Sequence, residues 1–320
     1  MWREDAGVPV LRISSKKAEA KTTMSGKSKA TFVSLCLCGS FLLACGRIKT
    51  ATNRQFPVLV GAGDIADCAN LAGAEATAKL LEKIPGTVVA VGDLAYPDGT
   101  KENFGCYNKT WGRVKDRTRP APGNHEFHST GATFYFEYFG KAAGDPLEGY
   151  YSYDLGTWHV IVLNSECAEI GGCNEGSREE KWLRADLAAH PTACTLAYFH
   201  KPVFSSGGAH GDDPQLKPFF QALYDANADV VLNGHDHDYE RFAPQDPNGT
   251  PDRARGIREF VIGTGGKNHR PLGKPETATE VRDATAFGVL KLTLKPKGYD
   301  WEFIPEEGKT FTDSGSDSCH

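Results

Sequence analysis

The 320-residue chain is poor in methionine, with only Met1 and Met24, and has no excess of either charge: 36 Lys and Arg face 41 Asp and Glu, a net charge of −5. Such a balance leaves no electrostatic footprint for nucleic acid, so none is expected as a partner. The apolar stretch from Thr31 to Ala44 is too short for a comfortable membrane span. After Cys45 no Cys-x-x-Cys spacing occurs, which argues against a structural zinc site. Gly263-Thr264-Gly265-Gly266 lacks the Lys-Ser/Thr that completes a nucleotide P-loop and reads as a turn. No internal repeat is present, and the one biased segment is a Ser/Gly/Asp-rich tail after Phe311.

The N-terminus carries an address. Met24 precedes Lys27 and Lys29, then the apolar stretch, then Leu42-Leu43-Ala44-Cys45-Gly46, which resembles a bacterial lipoprotein cleavage site. The segment 24–45 is therefore expected to be a signal peptide, with a lipid on Cys45 or ordinary secretory cleavage beside it. Residues 1–23 read as a mis-called start or disordered extension, 46–54 as a linker, and 55–320 as one folded domain, exported to the cell envelope or secreted. Without Cys36, Cys38 and Cys45, six cysteines remain, an even number suited to an oxidising compartment. Six cysteines allow fifteen pairings, and the sequence does not choose among them. The expected set is Cys167–Cys173 around a Gly-rich loop, Cys68–Cys106, and Cys194–Cys319 as the remainder.

Apolar runs bounded by turn residues predict strands at 58–62, 87–91, 158–163, 195–199, 230–232, 259–262, 289–294 and 300–304, the last two as a hairpin turning at Lys297-Gly298. Helical spacing of apolar residues predicts helices over 74–84, 179–189 and 216–226. Their alternation argues for a layered α/β domain.

Five polar motifs follow these runs within 174 residues: Gly63-Asp64, Gly92-Asp93-Leu94-Ala95-Tyr96, Gly123-Asn124-His125-Glu126, His200, and Gly234-His235-Asp236-His237. Alone, an Asp after Gly is most often a turn residue and a lone His a structural one. As a series, Asp64, Asp93, Tyr96, Asn124, His200, His235 and His237 form a ligand set for two adjacent metal ions. Asp64, Asp93, His200 and His235 lie just past predicted strand ends, where open α/β sheets bind ligands. Asn124 follows an extended Pro-rich segment too short to assign.

The series resembles the calcineurin-like metallophosphoesterases, and within them the purple acid phosphatase type, over about Val58 to Arg241. That resemblance implies a four-layer α-β-β-α sandwich, two metals bridged by one aspartate, and hydrolysis of phosphate esters. A first metal would take Asp64, bridging Asp93, Tyr96 and His237, a hard anionic set suited to Fe(III). A second would take Asp93, Asn124, His200 and His235, suited to divalent Zn, Fe or Mn. The wider group carries Asp-x-His in its first motif; here that position is Ala66, and Tyr96 fills the vacancy as in purple phosphatases.

The expected reaction is attack of a metal-bound hydroxide on a phosphate monoester of a small molecule, with metals about 3.5–4 Å apart. By resemblance His125 and His210 are the catalytic histidines, binding phosphate or protonating the leaving group. Glu126 and Asp236 are expected to orient ligands, Arg241 to stand in the same outer layer or in a surface ion pair, and His128 to line the entrance. His159, His190, His269 and His320 fit no motif and read as structural or surface residues. A small single-domain form without the extra β-domain of the large plant enzymes is expected. The alternatives are a phosphodiesterase on the same scaffold and, more remotely, a non-catalytic envelope binding protein.

Overall fold

In the computed structural model, which describes residues 55–320, the apolar runs pair into two large sheets packed face to face. The signal-like segment, Cys45 and the linker lie outside the described residues. The first half of the domain contains β1 (Val58–Ala62), β2 (Ala66–Asp67), β3 (Thr87–Val91), β4 (Ala95–Tyr96), β5 (Thr118–Ala121), β6 (Tyr151–Leu155) and β7 (Trp158–Val162). The second half contains β8 (Thr195–Tyr198), β9 (Val230–Asn233), β10 (Tyr239–Phe242), β11 (Arg258–Ile262), β12 (Thr279–Asp283), β13 (Gly288–Lys295), β14 (Gly298–Pro305) and β15 (Ser314–Ser318). The helices are α1 (Ala72–Lys83), α2 (Lys101–Lys109), α3 (Asn124–Phe127), α4 (Thr133–Phe139), α5 (Arg178–Ala189) and α6 (Lys217–Asp225).

One sheet runs β15-β14-β13-β1-β3-β5 and the other β12-β10-β11-β9-β8-β7-β6. In each, the strands that feed the motifs are parallel: β1, β3 and β5 in the first, and β7, β8, β9 and β11 in the second. Parallel strands are buried on both faces, which explains their continuous apolar composition. Successive side chains alternate faces. Leu59, Val89 and Val91 thus meet Val160, Leu196 and Leu232 between the sheets. Val60, Val88 and Ala90 turn outward against Ala74, Ala78 and Leu81 of α1. Ile161, Ala197 and Val231 turn the other way, against Leu183 of α5 and Phe219, Phe220 and Leu223 of α6. The result is the four-layer α-β-β-α sandwich.

The structure corrects several local expectations. The Pro-rich segment before Asn124 is a strand, β5, lying at a sheet edge where a proline costs no ladder hydrogen bond. Two hydroxyls, of Tyr135 and Tyr151, donate to the Pro120 carbonyl at 3.0 and 2.8 Å. The polar tail forms edge strand β15, paired with β14. The hairpin turns at Pro296-Lys297, since Lys295 pairs with Gly298. The three disulfides are Cys68–Cys106, Cys167–Cys173 and Cys194–Cys319. Among the described residues no helix is long and apolar enough to cross a membrane.

Candidate metal centre

In four of the five motifs the first donor lies two residues past a strand end. Asp64 follows β1, Asp93 follows β3, His200 follows β8 and His235 follows β9, while Asn124 opens α3 just beyond β5. Since these strands run parallel, all five side chains gather at one edge of the sandwich. The backbone bends sharply there: Asp64, Asp93 and His235 have φ of 60°, 53° and 71°. Such left-handed conformations cost non-glycine residues of order 1–3 kcal/mol and cluster at functional sites. Glycines give the clearance. A Cβ on Gly92, at φ +73°, would fall 2.4 Å from the His200 ring, and one on Gly123 would fall 2.3 Å from Asp93 Oδ1.

The donor atoms form two groups that share Asp93. In the first, Tyr96 Oη lies 2.7 Å from Asp64 Oδ1, 3.0 Å from Asp93 Oδ2 and 3.2 Å from His237 Nε2. His237 Nε2 is in turn 3.2 Å from Asp64 Oδ1. In the second, Asp93 Oδ2 lies 3.2 Å from His200 Nε2, which is 3.2 Å from His235 Nδ1. Asp93, His200 and His235 offer donor atoms within 4.8 Å of one another. Next in the chain to Gly123, which packs against Asp93 and the His200 ring, the Asn124 Oδ1 atom is buried without a hydrogen-bond partner. A buried carbonyl oxygen left unpaired is costly unless something positive meets it. Two adjacent cations fit this arrangement.

A supporting layer fixes the donors. His200 Nδ1 donates to the Val91 carbonyl at 3.0 Å, and His237 Nδ1 donates to Asn268 Oδ1 at 2.9 Å. Each bond leaves the Nε2 lone pair facing the centre, as metal-binding histidines require. Asp64 Oδ2 accepts from the His235 amide at 2.8 Å, and Asp93 Oδ1 from the His125 amide at 2.9 Å. Glu126 accepts four amides: Leu94 and Ala95 at 2.8 and 3.2 Å on one oxygen, Asp93 and Gly123 at 2.9 and 2.8 Å on the other.

Electrostatics follow from burial. Burial disfavours the charge on Asp93, but His200 and His125 beside it hold its carboxyl well below the ordinary range. Burial likewise opposes charge on His200, and the Asp93 carboxylate outweighs it, raising His200 to about 10. A proton is thus held where a cation would compete for the same lone pairs. His235, buried and near His200, falls to about 2 and stays a neutral donor. Burial, with Asp64 and Asp93 alongside, raises the Tyr96 phenol well above its ordinary value.

Residues 59–239 match the family model described as calcineurin-like phosphoesterase. The chain belongs to that family. Among curated relatives, purple acid phosphatase 23 of Arabidopsis thaliana is 30% identical over 200 residues, covering 51% of this chain and 43% of its own. Purple acid phosphatase 21 of the same plant is 27% identical over 256 residues, covering 70% and 55%. The chain spans about half the length, or less, of these relatives. The purple acid phosphatase PPD1 of yellow lupin shares the fold at a TM-score of 0.64 and 19% identity, over 82% of this chain and 53% of that one. So does GAP50, the anchor in the inner membrane complex of Plasmodium, at 0.64 and 14% over 82% and 89%.

Within this calcineurin-like scaffold the remaining residues sort as follows. His125 packs against Tyr96 with ring centroids 4.2 Å apart, and its Nδ1 donates to the Pro97 carbonyl. Its Nε2 faces Asp93 Oδ2 at 3.7 Å. His128, largely exposed, also reaches Pro97 O, at 3.1 Å, and stands 4.7 Å from the His125 ring. His210 stacks on His235 with centroids 4.0 Å apart, and its Nε2 meets Arg270 Nη1. Asp236 orients no donor: it accepts from Ser205 Oγ at 2.6 Å and from the His210 and Gly211 amides, pinning the 205–211 loop. Arg241 pairs with Asp313 at 2.7 Å, away from the donor groups.

Asn268, Arg270 and Lys267 are the residues sequence reasoning missed. They follow the Gly263–Gly266 turn, which borders the centre through Lys267 N donating to Asp64 O at 2.9 Å. As single polar residues without a motif, they gave no signal. A further group, His159, Asp186 and His190, lies at the other end of the sandwich. There His159 Nε2 is 2.8 Å from Asp186 and Nδ1 is 2.9 Å from Asp154, the spacing of a hydrogen-bonded ion pair.

Proposed function

We propose that residues 55–320 are the catalytic unit of an exported phosphatase that hydrolyses phosphate monoesters of small molecules at a two-metal centre. Asp64, Asp93, Tyr96 and His237 would hold the first metal, and Asp93, Asn124, His200 and His235 the second. The observation that carries this reading is the pair of donor groups sharing Asp93, with a buried, unpartnered Asn124 oxygen on the loop that packs against it. Phenolate and carboxylate donors favour Fe(III) in the first position, and the nitrogen-rich set favours Zn, Fe(II) or Mn in the second. When bound, the ions activate water and neutralise phosphoryl oxygens.

The chain's own groups then do the rest. His125 Nε2, free of backbone partners, would pass a proton to the leaving-group oxygen from the doubly protonated ring, Nδ1 keeping its own on Pro97 O. Glu126 keeps the Asp93 amide, and so the shared carboxylate, in place. Retention of all seven donors weighs against a non-catalytic anchor on this fold. Three disulfides support export, because such bonds persist in oxidising compartments. The signal peptide and the lipid on Cys45 remain part of the proposal.

Two variants test it. Asp93→Asn is expected to reduce hydrolysis of a chromogenic monoester to background and to lower the content of both metals. His125→Ala is expected to keep its metals and lose about 100-fold or more in kcat. An active, fully metallated Asp93→Asn protein would overturn the shared-aspartate assignment.

A further inference from the structure

Three cationic side chains border the candidate centre, and they differ in what neutralises them. Lys201 Nζ lies 2.7 Å from Glu166 Oε2. Lys267 pairs with Asp67 while lying over the Tyr96 ring, 4.7 Å from its centroid. Arg270 has no carboxylate partner among the described residues; its guanidinium meets only the His210 imidazole. Arginine cannot accept a hydrogen bond, so His210 Nε2 must be the acceptor and Nδ1 must carry the proton. His210 is therefore a neutral prop for the guanidinium.

The position of Arg270 follows from its neighbours. Its amide donates to His237 O at 3.3 Å, and its side chain rests on a ring stacked on His235. One partner thus touches each donor group. A guanidinium has five N–H donors in a rigid fork, and most of them are uncommitted here. A planar cation of this kind, half-buried beside an anion-binding centre, is suited to a phosphoryl oxygen.

The esters differ in what they offer it. A phosphate monoester dianion has three non-bridging oxygens and two charges. A diester has two such oxygens and one charge, with a second organic group in the remaining position. We propose that Arg270 is the specificity-determining residue that selects monoesters, by taking the charged oxygen that a diester lacks. The inference rests on the phosphatase reading above and narrows its substrate class.

The test uses the full chain with its metals, at a pH where the monoester is a dianion. Arg270→Ala and Arg270→Lys are compared with wild type on p-nitrophenyl phosphate and bis-p-nitrophenyl phosphate, and inorganic phosphate binding is followed by calorimetry. Arg270→Ala is expected to lose about 10- to 100-fold in kcat/KM on the monoester, mainly through KM, the range a charge-assisted hydrogen bond spans. The diester rate should change little, phosphate should bind more weakly by a similar factor, and Arg270→Lys should recover part of both losses. Equal losses on the two esters, or no loss on either, would overturn the inference while leaving an active wild type. A wild type inert on both esters would remove the phosphatase reading itself, a separate result.

Discussion

Asp93 is the residue on which the two donor groups depend, and Glu126 is the residue on which Asp93 depends. One buried carboxylate accepts four amides from two loops, including the amides of Asp93 and Gly123. Burial and the Asp93 charge push Glu126 up to about 8, and the Gly123 and Leu94 amides with His200 oppose that shift. Glu126→Gln puts an NH2 where an acceptor oxygen stood and leaves two buried amides facing a donor. At about 1–3 kcal/mol for each unsatisfied group, a loss of roughly 2–6 kcal/mol is expected from denaturant unfolding, with a fall in metal content. A variant as stable and as metallated as wild type would contradict this. The sequence announced Glu126 because it sits inside a motif. It could not announce Asn268 or Arg270, whose roles exist only because the loop after β11 returns to the motif edge.

Elements were legible where composition matched burial. The parallel strands, buried on both faces, show as apolar runs, and the C-terminal ends of β1, β3, β9 and β11 could be read directly from the glycines that follow. β5 and β15 were hidden because edge strands obey other rules: β5 carries a proline, and β15 is a polar ribbon of serine, glycine and aspartate. The unassigned His159 also belongs to this scale. It lies in β7 and joins the chain before it, through Asp154 of β6, to Asp186 near the end of α5. Burial alone would lower its pKa, but the bonds to Asp186 and Asp154 raise it. A raised folded-state value means the ion pair stabilises fully below the unfolded value of about 6.5 and fades as pH climbs through the folded one. The stability difference between wild type and His159→Gln should therefore shrink as pH rises from neutral, measured by denaturation across that range. A difference that grows with pH would contradict the sign.

At the scale of the molecule, the two sheets are tied at the edge away from the donor groups. Cys194 precedes β8 of one sheet and Cys319 follows β15 of the other, 125 residues apart in sequence. Replacing both by alanine is expected to cost roughly 2–5 kcal/mol of stability, read from denaturant midpoints, while kcat stays near wild type. An equal loss of activity in the folded variant would mean that the clamp reaches the centre. The organisation of the whole thus separates a covalently fastened base from an edge where strained strand ends collect Asp64, Asp93, Asn124, His200, His235 and His237 around Tyr96. The most direct test of that account is the metal content and visible spectrum of protein purified without added metal, for wild type and Tyr96→Phe. The account predicts iron with a second metal, and a visible charge-transfer band that disappears in Tyr96→Phe. A colourless protein carrying two divalent ions, or a band that survives the substitution, would contradict it.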